Sequence, residues 1–137
     1  MFDITSVCRR SDLTLPVRII FMGNYTGNDI YCDLIIPDKT GLRIVKETST
    51  VLAFYHTKPH WPVHIVVIPK IHIVDLLELT NKNGLASELF DTVKEVAAMV
   101  KSQEGACRVL TNIGDYQKSK HLHFLIISGD ATADNIV

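Results

Sequence analysis

At 137 residues, 47% of them hydrophobic, the chain carries enough apolar side chain for one core and too little length for two ordinary domains. Lys and Arg number 14 against 15 Asp and Glu, and the basic residues form no run of the kind that tracks nucleic acid or anchors to a membrane, so a charged ligand has to be met locally, in a pocket. The three cysteines, Cys8, Cys32 and Cys107, are widely spaced with no CxxC pair, which argues against a disulfide framework or a cysteine-rich zinc site and for reduced thiols in a cytoplasm.

No basic start followed by a continuous apolar segment opens the chain, and no later apolar run reaches the length that spans a bilayer, so a soluble, unexported protein is expected. Residues 1–30 read as partly ordered: a short apolar stretch, residues 17–22, sits between polar segments and the turn-prone Gly23-Asn24 and Gly27-Asn28. From Leu42 the pattern sharpens. Residues 42–46, 51–55 and 63–68 are short, rich in β-branched and aromatic side chains and separated by Pro, Lys and Thr, which predicts three consecutive strands.

Residues 73–79 suit a helical turn. A longer helix follows, in which Leu85, Leu89, Val93, Val96, Ala97 and Val100 recur at helical spacing while Glu88, Asp91, Lys94 and Lys101 take the opposite side, with Gly105 as its stop. Residues 108–111 read as a strand, 112–120 as a polar loop and 121–127 as a final strand. Strands, one main helix and more strands predict an α+β domain with the helix on one face of the sheet.

In that last strand the alternation of side chains puts His121, His123, Leu125 and Ile127 on one face and Leu122, Phe124 and Ile126 on the other, with the two imidazoles roughly 7 Å apart. A neutral imidazole whose one nitrogen donates to a carbonyl keeps a single tautomer and aims the other lone pair outward, which suits attack on phosphorus. The same pair also suits hydrogen-bonded structural histidines. The preceding loop, with Asn112, Gly114, Gln117, Lys118, Ser119 and Lys120, has the composition of an anion cradle, and equally that of a solvated hairpin. His64 interrupts a strongly apolar strand, whereas His56, His60 and His72 fall in loops or at strand ends.

Taken in order, Tyr31-Cys-Asp-Leu-Ile, Val51-Leu-Ala-Phe-Tyr, Pro62-Val-His-Ile-Val-Val-Ile-Pro-Lys-Ile-His, Thr111-Asn-Ile-Gly and His121-Leu-His-Phe-Leu-Ile-Ile-Ser make the chain similar to the histidine triad (HIT) family of nucleotide hydrolases and transferases. The resemblance implies an antiparallel sheet of about five strands with one main helix, in a domain over residues 31–130 between the N-terminal extension and a polar tail, 131–137. It further implies a homodimer, a purine nucleotide or nucleotide conjugate as ligand, and no nucleic-acid or membrane partner. The middle histidine of the family motif attacks the α-phosphorus to give a nucleotidyl-histidine, and that role falls on His123. His121 would orient the site, His64 would approach the phosphate or leaving group, Asn112 and Gln117 would donate to its oxygens, and Phe54 would lie beside base and ribose.

Four departures from the family pattern stand out. Leu125 replaces the third histidine, and the loss of one donor costs about 3 kcal/mol in barrier, a slower enzyme and not a dead one. His56 stands where members commonly carry an acidic residue that binds the ribose hydroxyls. Lys118 replaces a serine that reaches the leaving group, with Lys118 or Lys120 able to compensate by charge. Asp29 and Cys32 occupy the places of a zinc-binding CxxC, so neither metal nor cofactor is expected. A phosphoramidase-like hydrolase leads these readings; a slow or inactive nucleotide sensor, and a zinc site built from His64, His121 and His123, are the alternatives.

Overall fold

The computed structural model describes residues 25–131. Five strands, β1 (Ile44–Glu47), β2 (Val51–Tyr55), β3 (Val63–Pro69), β4 (Arg108–Thr111) and β5 (Phe124–Ser128), form one antiparallel sheet in the order β1-β2-β3-β5-β4. The α+β class is as expected, and so are β2, β4 and the helix α1, Leu85–Glu104. The apolar stretch at residues 17–22 lies outside the described residues, as does most of the proposed N-terminal extension.

The helix buries Leu85, Leu89, Val93, Val96 and Val100 against Val51, Ala53, Ile65, Val67, Leu122, Phe124 and Ile126. Each such side chain removed from water contributes about 1.5–3 kcal/mol, so this seam is the main core. Gly105 ends the helix in the left-handed region, φ 86°, where its N–H reaches the Lys101 carbonyl. The turn expected over 73–79 shrinks to a 3₁₀ turn, Leu76–Glu78, which Asp75 caps by accepting from the Leu77 N–H at 2.9 Å.

The other sheet face carries a second cluster, Leu52, Phe54, Val66, Ile68 and Leu125, covered by Tyr31 and Ile35. Those two belong to a helical turn, Tyr31–Ile35, which strand and helix periodicities did not reveal. β1 starts two residues late, and its register shifts between Ile44 and Lys46, a bulge at the sheet edge.

The final strand is also shorter than expected. Its pairing begins at Phe124, opposite Val67, so His121 and His123 precede it. Their backbone is satisfied otherwise: the Leu122 N–H donates to the Ile73 carbonyl and the Thr111 hydroxyl to the His123 carbonyl, at 2.6 and 2.7 Å. The alternation nevertheless continues through them, with Leu122 in the helix-side core and both imidazoles against Tyr31 on the opposite face.

Candidate active site

His123 sits 8% exposed at the entry to β5. Its Nδ1 lies 2.7 Å from the His121 carbonyl oxygen, which can only accept, so Nδ1 carries the hydrogen and Nε2 keeps a lone pair. The Tyr31 ring packs against it at a centroid distance of 5.1 Å. Burial lowers the His123 pKa, opposed by the hydrogen bond to the His121 carbonyl, and the net shift is downward. The ring is therefore neutral at pH 7, the form in which imidazole is a nucleophile.

His121 is wholly buried and faces a different set of groups. Its Nε2 is 2.8 Å from the Pro69 carbonyl, and its Nδ1 is 3.1 Å from Asp29 Oδ2 and 3.3 Å from Cys32 Sγ. His72 joins from the other side, Nδ1 to Asp29 Oδ2 at 2.6 Å. Burial pushes the Asp29 carboxyl up, but the hydrogen bond and charge of His121, with the Cys32 N–H and His72, more than offset it and hold the group below its ordinary value.

Asp29, Cys32, His72 and His121 thus bring four donor atoms within 4.8 Å of one another. The sequence argument set zinc aside on Asp29 and Cys32 alone. The fold adds two imidazoles to them, but the Cys32 sulfur is engaged in a disulfide, which corrects the expectation of reduced thiols and leaves no thiolate to bind zinc. The 2.6 Å separation of His72 from Asp29 is a hydrogen bond, shorter than the ~3.3 Å between two ligands of one tetrahedral zinc, so in this conformation the cluster is held by protons. The trio of His64, His121 and His123 is not gathered in this way among the described residues.

His64, 3% exposed, stands on β3 opposite Ile127, two residues along from Val66, which pairs with Leu125. Leu125 therefore lies on the sheet face between His64 and His123. The His64 Nδ1 accepts from the His60 N–H at 3.1 Å, so in the neutral ring Nε2 is the donor, and that atom is buried with no partner among the described residues. Burial, then the neighbouring imidazoles of His56, His60 and His123, push its pKa down to about 3. His56 stacks on it at 4.3 Å, and burial with the same kind of neighbours takes His56 to about 4. A cavity of about 340 Å³, lined by Arg43, Tyr55, His56, Thr57, Pro62 and His64 among others, opens beside this stack. Gly129, φ 86°, passes so close to Pro62 that a Cβ there would lie 2.6 Å from its ring.

The remaining expected residues divide. Asn112 is half-buried just after β4. Gln117 is 3% exposed, but its side-chain amide already donates to the Val74 carbonyl. Lys118 is exposed, whereas the Lys120 ammonium is spent on the Gly114 and Gln117 carbonyls at 3.1 and 2.8 Å, shaping the loop. Phe54, 2% exposed, lies beneath Tyr31 in the core of this face. Sequence reasoning passed over Tyr31, Asp29 and His72 as contacts of the motif histidines; Ser119, in the loop it singled out, buries a hydroxyl without a partner among the described residues.

Comparison with known proteins follows the same outline. The model of the HIT domain family matches residues 39–132. An uncharacterized HIT-like protein of Synechococcus elongatus is 41% identical over 93 residues, 66% of this chain and 81% of that protein. Among solved structures, a HIT family hydrolase from Clostridium thermocellum superposes with a TM-score of 0.61 at 26% identity, covering 82% of this chain and all of the other. A hypothetical histidine triad nucleotide-binding protein from Sulfolobus tokodaii gives 0.60 at 30% identity, covering 75% of this chain and 72% of its own.

Proposed function

Because the chain belongs to the HIT domain family, we propose that it is a nucleotide-binding hydrolase or transferase acting at the α-phosphate of a purine nucleotide conjugate, a phosphoramidate foremost. The observation that carries this reading is the fixed tautomer of His123: Nδ1–H bound to the His121 carbonyl, Nε2 left as a lone pair on a neutral ring. That Nε2 forms a bond to the α-phosphorus as the bond to the leaving group breaks. Water then attacks the phosphorus of the nucleotidyl-histidine, the nitrogen–phosphorus bond breaks, and the mononucleotide leaves with His123 neutral again.

The partnerless Nε2–H of His64 suits a hydrogen bond to a phosphate oxygen or the leaving group, where a donor in a water-poor site strengthens as charge develops. His121, held by Pro69 and Asp29, keeps its carbonyl under the His123 ring and is a positioning residue. Asn112 and Lys118 are assigned to the phosphate and leaving group. Asp29 and His72 hold His121 in place and touch no reacting atom.

The test is hydrolysis of an adenosine phosphoramidate. The protein releases the mononucleotide, and His123→Ala reduces release to the uncatalysed level with unchanged circular dichroism; full activity in that variant contradicts the mechanism. We assign a homodimer to the edge strand β4, whose Val109 is 46% exposed, and sedimentation at twice the chain mass is the expected result.

A further inference from the structure

The imidazole of His123 is aimed by backbone. Its Nδ1 is held by the His121 carbonyl, two residues back in its own segment, so the direction of Nε2 follows wherever that segment stands. The ladder does not reach that far: on both sides the pairing of β5 begins one residue later, at Phe124, with Val67 of β3 and Thr111 of β4 as its partners. A side chain extends the restraint to His123. The hydroxyl of Thr111, a half-buried residue, donates to the His123 carbonyl at 2.7 Å. A hydroxyl carries a single hydrogen, and its use here fixes the peptide plane that follows the His123 ring. Thr111 and Phe124 are partners, and Asn112 and His123 are the next residues outward from that pair on the two chains.

We propose that Thr111 is a positioning residue for the reaction: its hydroxyl, acting through the His123 carbonyl, sets the line along which the imidazole attacks and touches no substrate itself. The proposal rests on the nucleophile assigned to His123 above and adds to it the residue that holds it in line. A nucleophile has to stand about 3–3.5 Å from the atom it attacks and in line with the bond that breaks, and a displacement of about 1 Å costs on the order of 100-fold in rate. Valine at this position keeps the size and β-branching of threonine and removes only the donor. The His123 carbonyl then loses the bond that fixes its peptide plane, and the ring, tied to its own segment through Nδ1, turns with that plane. A hydroxyl that merely closed the end of β4 would add stability and leave the direction of the ring to other contacts.

Steady-state kinetics of the full chain on an adenosine phosphoramidate, with imidazole nitrogen NMR of the same proteins, separates the two roles. Thr111→Val lowers kcat about 10-fold with KM unchanged, and Thr111→Ser, which keeps the hydroxyl, recovers most of that loss. The NMR spectrum shows His123 as a single Nδ1–H tautomer in the parent and as a mixture in Thr111→Val. Should the valine variant not fold, Thr111→Ala gives the same two readouts. A kcat within twofold of the parent, an equal loss in the serine and valine variants, or a change confined to KM overturns the proposal, and a lowered melting temperature with kcat and tautomer intact assigns Thr111 to stability alone. If the parent turns over no phosphoramidate, or His123→Ala matches it, the reading above falls; the NMR comparison still decides whether Thr111 holds the ring, and one and the same tautomer in both proteins says that it does not.

Discussion

His123 and His121 share a short sequence and almost nothing else. One ring is pinned by a backbone carbonyl at a single nitrogen and presents the other; the second has both nitrogens engaged, by Pro69 on one side and by Asp29 and Cys32 on the other. Alternation puts both rings on one face alike, so the division of labour into nucleophile and positioning residue comes from the family resemblance. The partners of His121 were not legible in the sequence, because Asp29 lies 92 positions away and no periodicity links them. Leu125 is the residue at which the proposed chemistry is weakest, an apolar side chain between His64 and His123. Leu125→His adds a donor there and is expected to raise the turnover of an adenosine phosphoramidate about 10-fold or more, within the roughly 3 kcal/mol that one such donor supplies; steady-state kinetics checks this, and an unchanged or lower rate means the site does not stabilise the phosphate through that position. Since the His123 pKa is lowered, its neutral form outlasts that of an ordinary histidine as the solution is acidified, and activity is retained from pH 7 down through 6.5, where a free imidazole is half protonated.

At the scale of elements, β2, β3 and α1 were readable because each buries apolar positions in a regular pattern, the helix on one side of the sheet and alternate strand positions on both, whereas β4 is exposed or half-buried throughout. The start of β5 was misread for a local reason. The alternation His121-Leu122-His123 is that of a strand, but the Pro69 carbonyl at the end of β3 accepts from an imidazole and not from a backbone amide, so extended chain continues without a ladder. The Tyr31–Ile35 turn escaped notice because five residues are too few for a helical period to show. That turn is tied to the site by Asp29, which accepts from the Cys32 N–H at 2.9 Å through one oxygen and from His72 and His121 through the other. Asp29→Ala leaves a wholly buried imidazole short of a partner and uncaps the turn. A loss of about 1–3 kcal/mol is expected in urea denaturation, with Asp29→Asn recovering part of it; no loss would detach the turn from the stability of the site.

The described residues form a sheet with two unequal faces: α1 seals one with a continuous apolar core, and the other combines apolar side chains with buried or half-buried imidazoles, His56, His64, His121 and His123 among them. No helix among the described residues is long and apolar enough to cross a membrane. Holding His56, His64 and His123 neutral has a thermodynamic consequence. The pKa values of His56, His64 and His123 are depressed on folding, so below about 6.5 the unfolded chain binds protons that the folded chain refuses. Their contribution is fully present above pH 6.5 and falls away toward pH 4 and 3, and the lowered Asp29 carboxyl adds a loss in the same direction below its ordinary value. Thermal melts should show a midpoint level from pH 8 to 7 that declines steadily from 6.5 to 4, less steeply in His64→Phe than in the parent; identical slopes would show that His64 is not held neutral by the fold. The central claim, that the histidine face exists to form a bond from His123 to phosphorus, is tested most directly by acid-free mass spectrometry of the protein quenched during turnover of an adenosine phosphoramidate. The account predicts an adenylyl adduct on the peptide carrying His123, absent from His123→Ala, whereas turnover with no adduct on that peptide would contradict it.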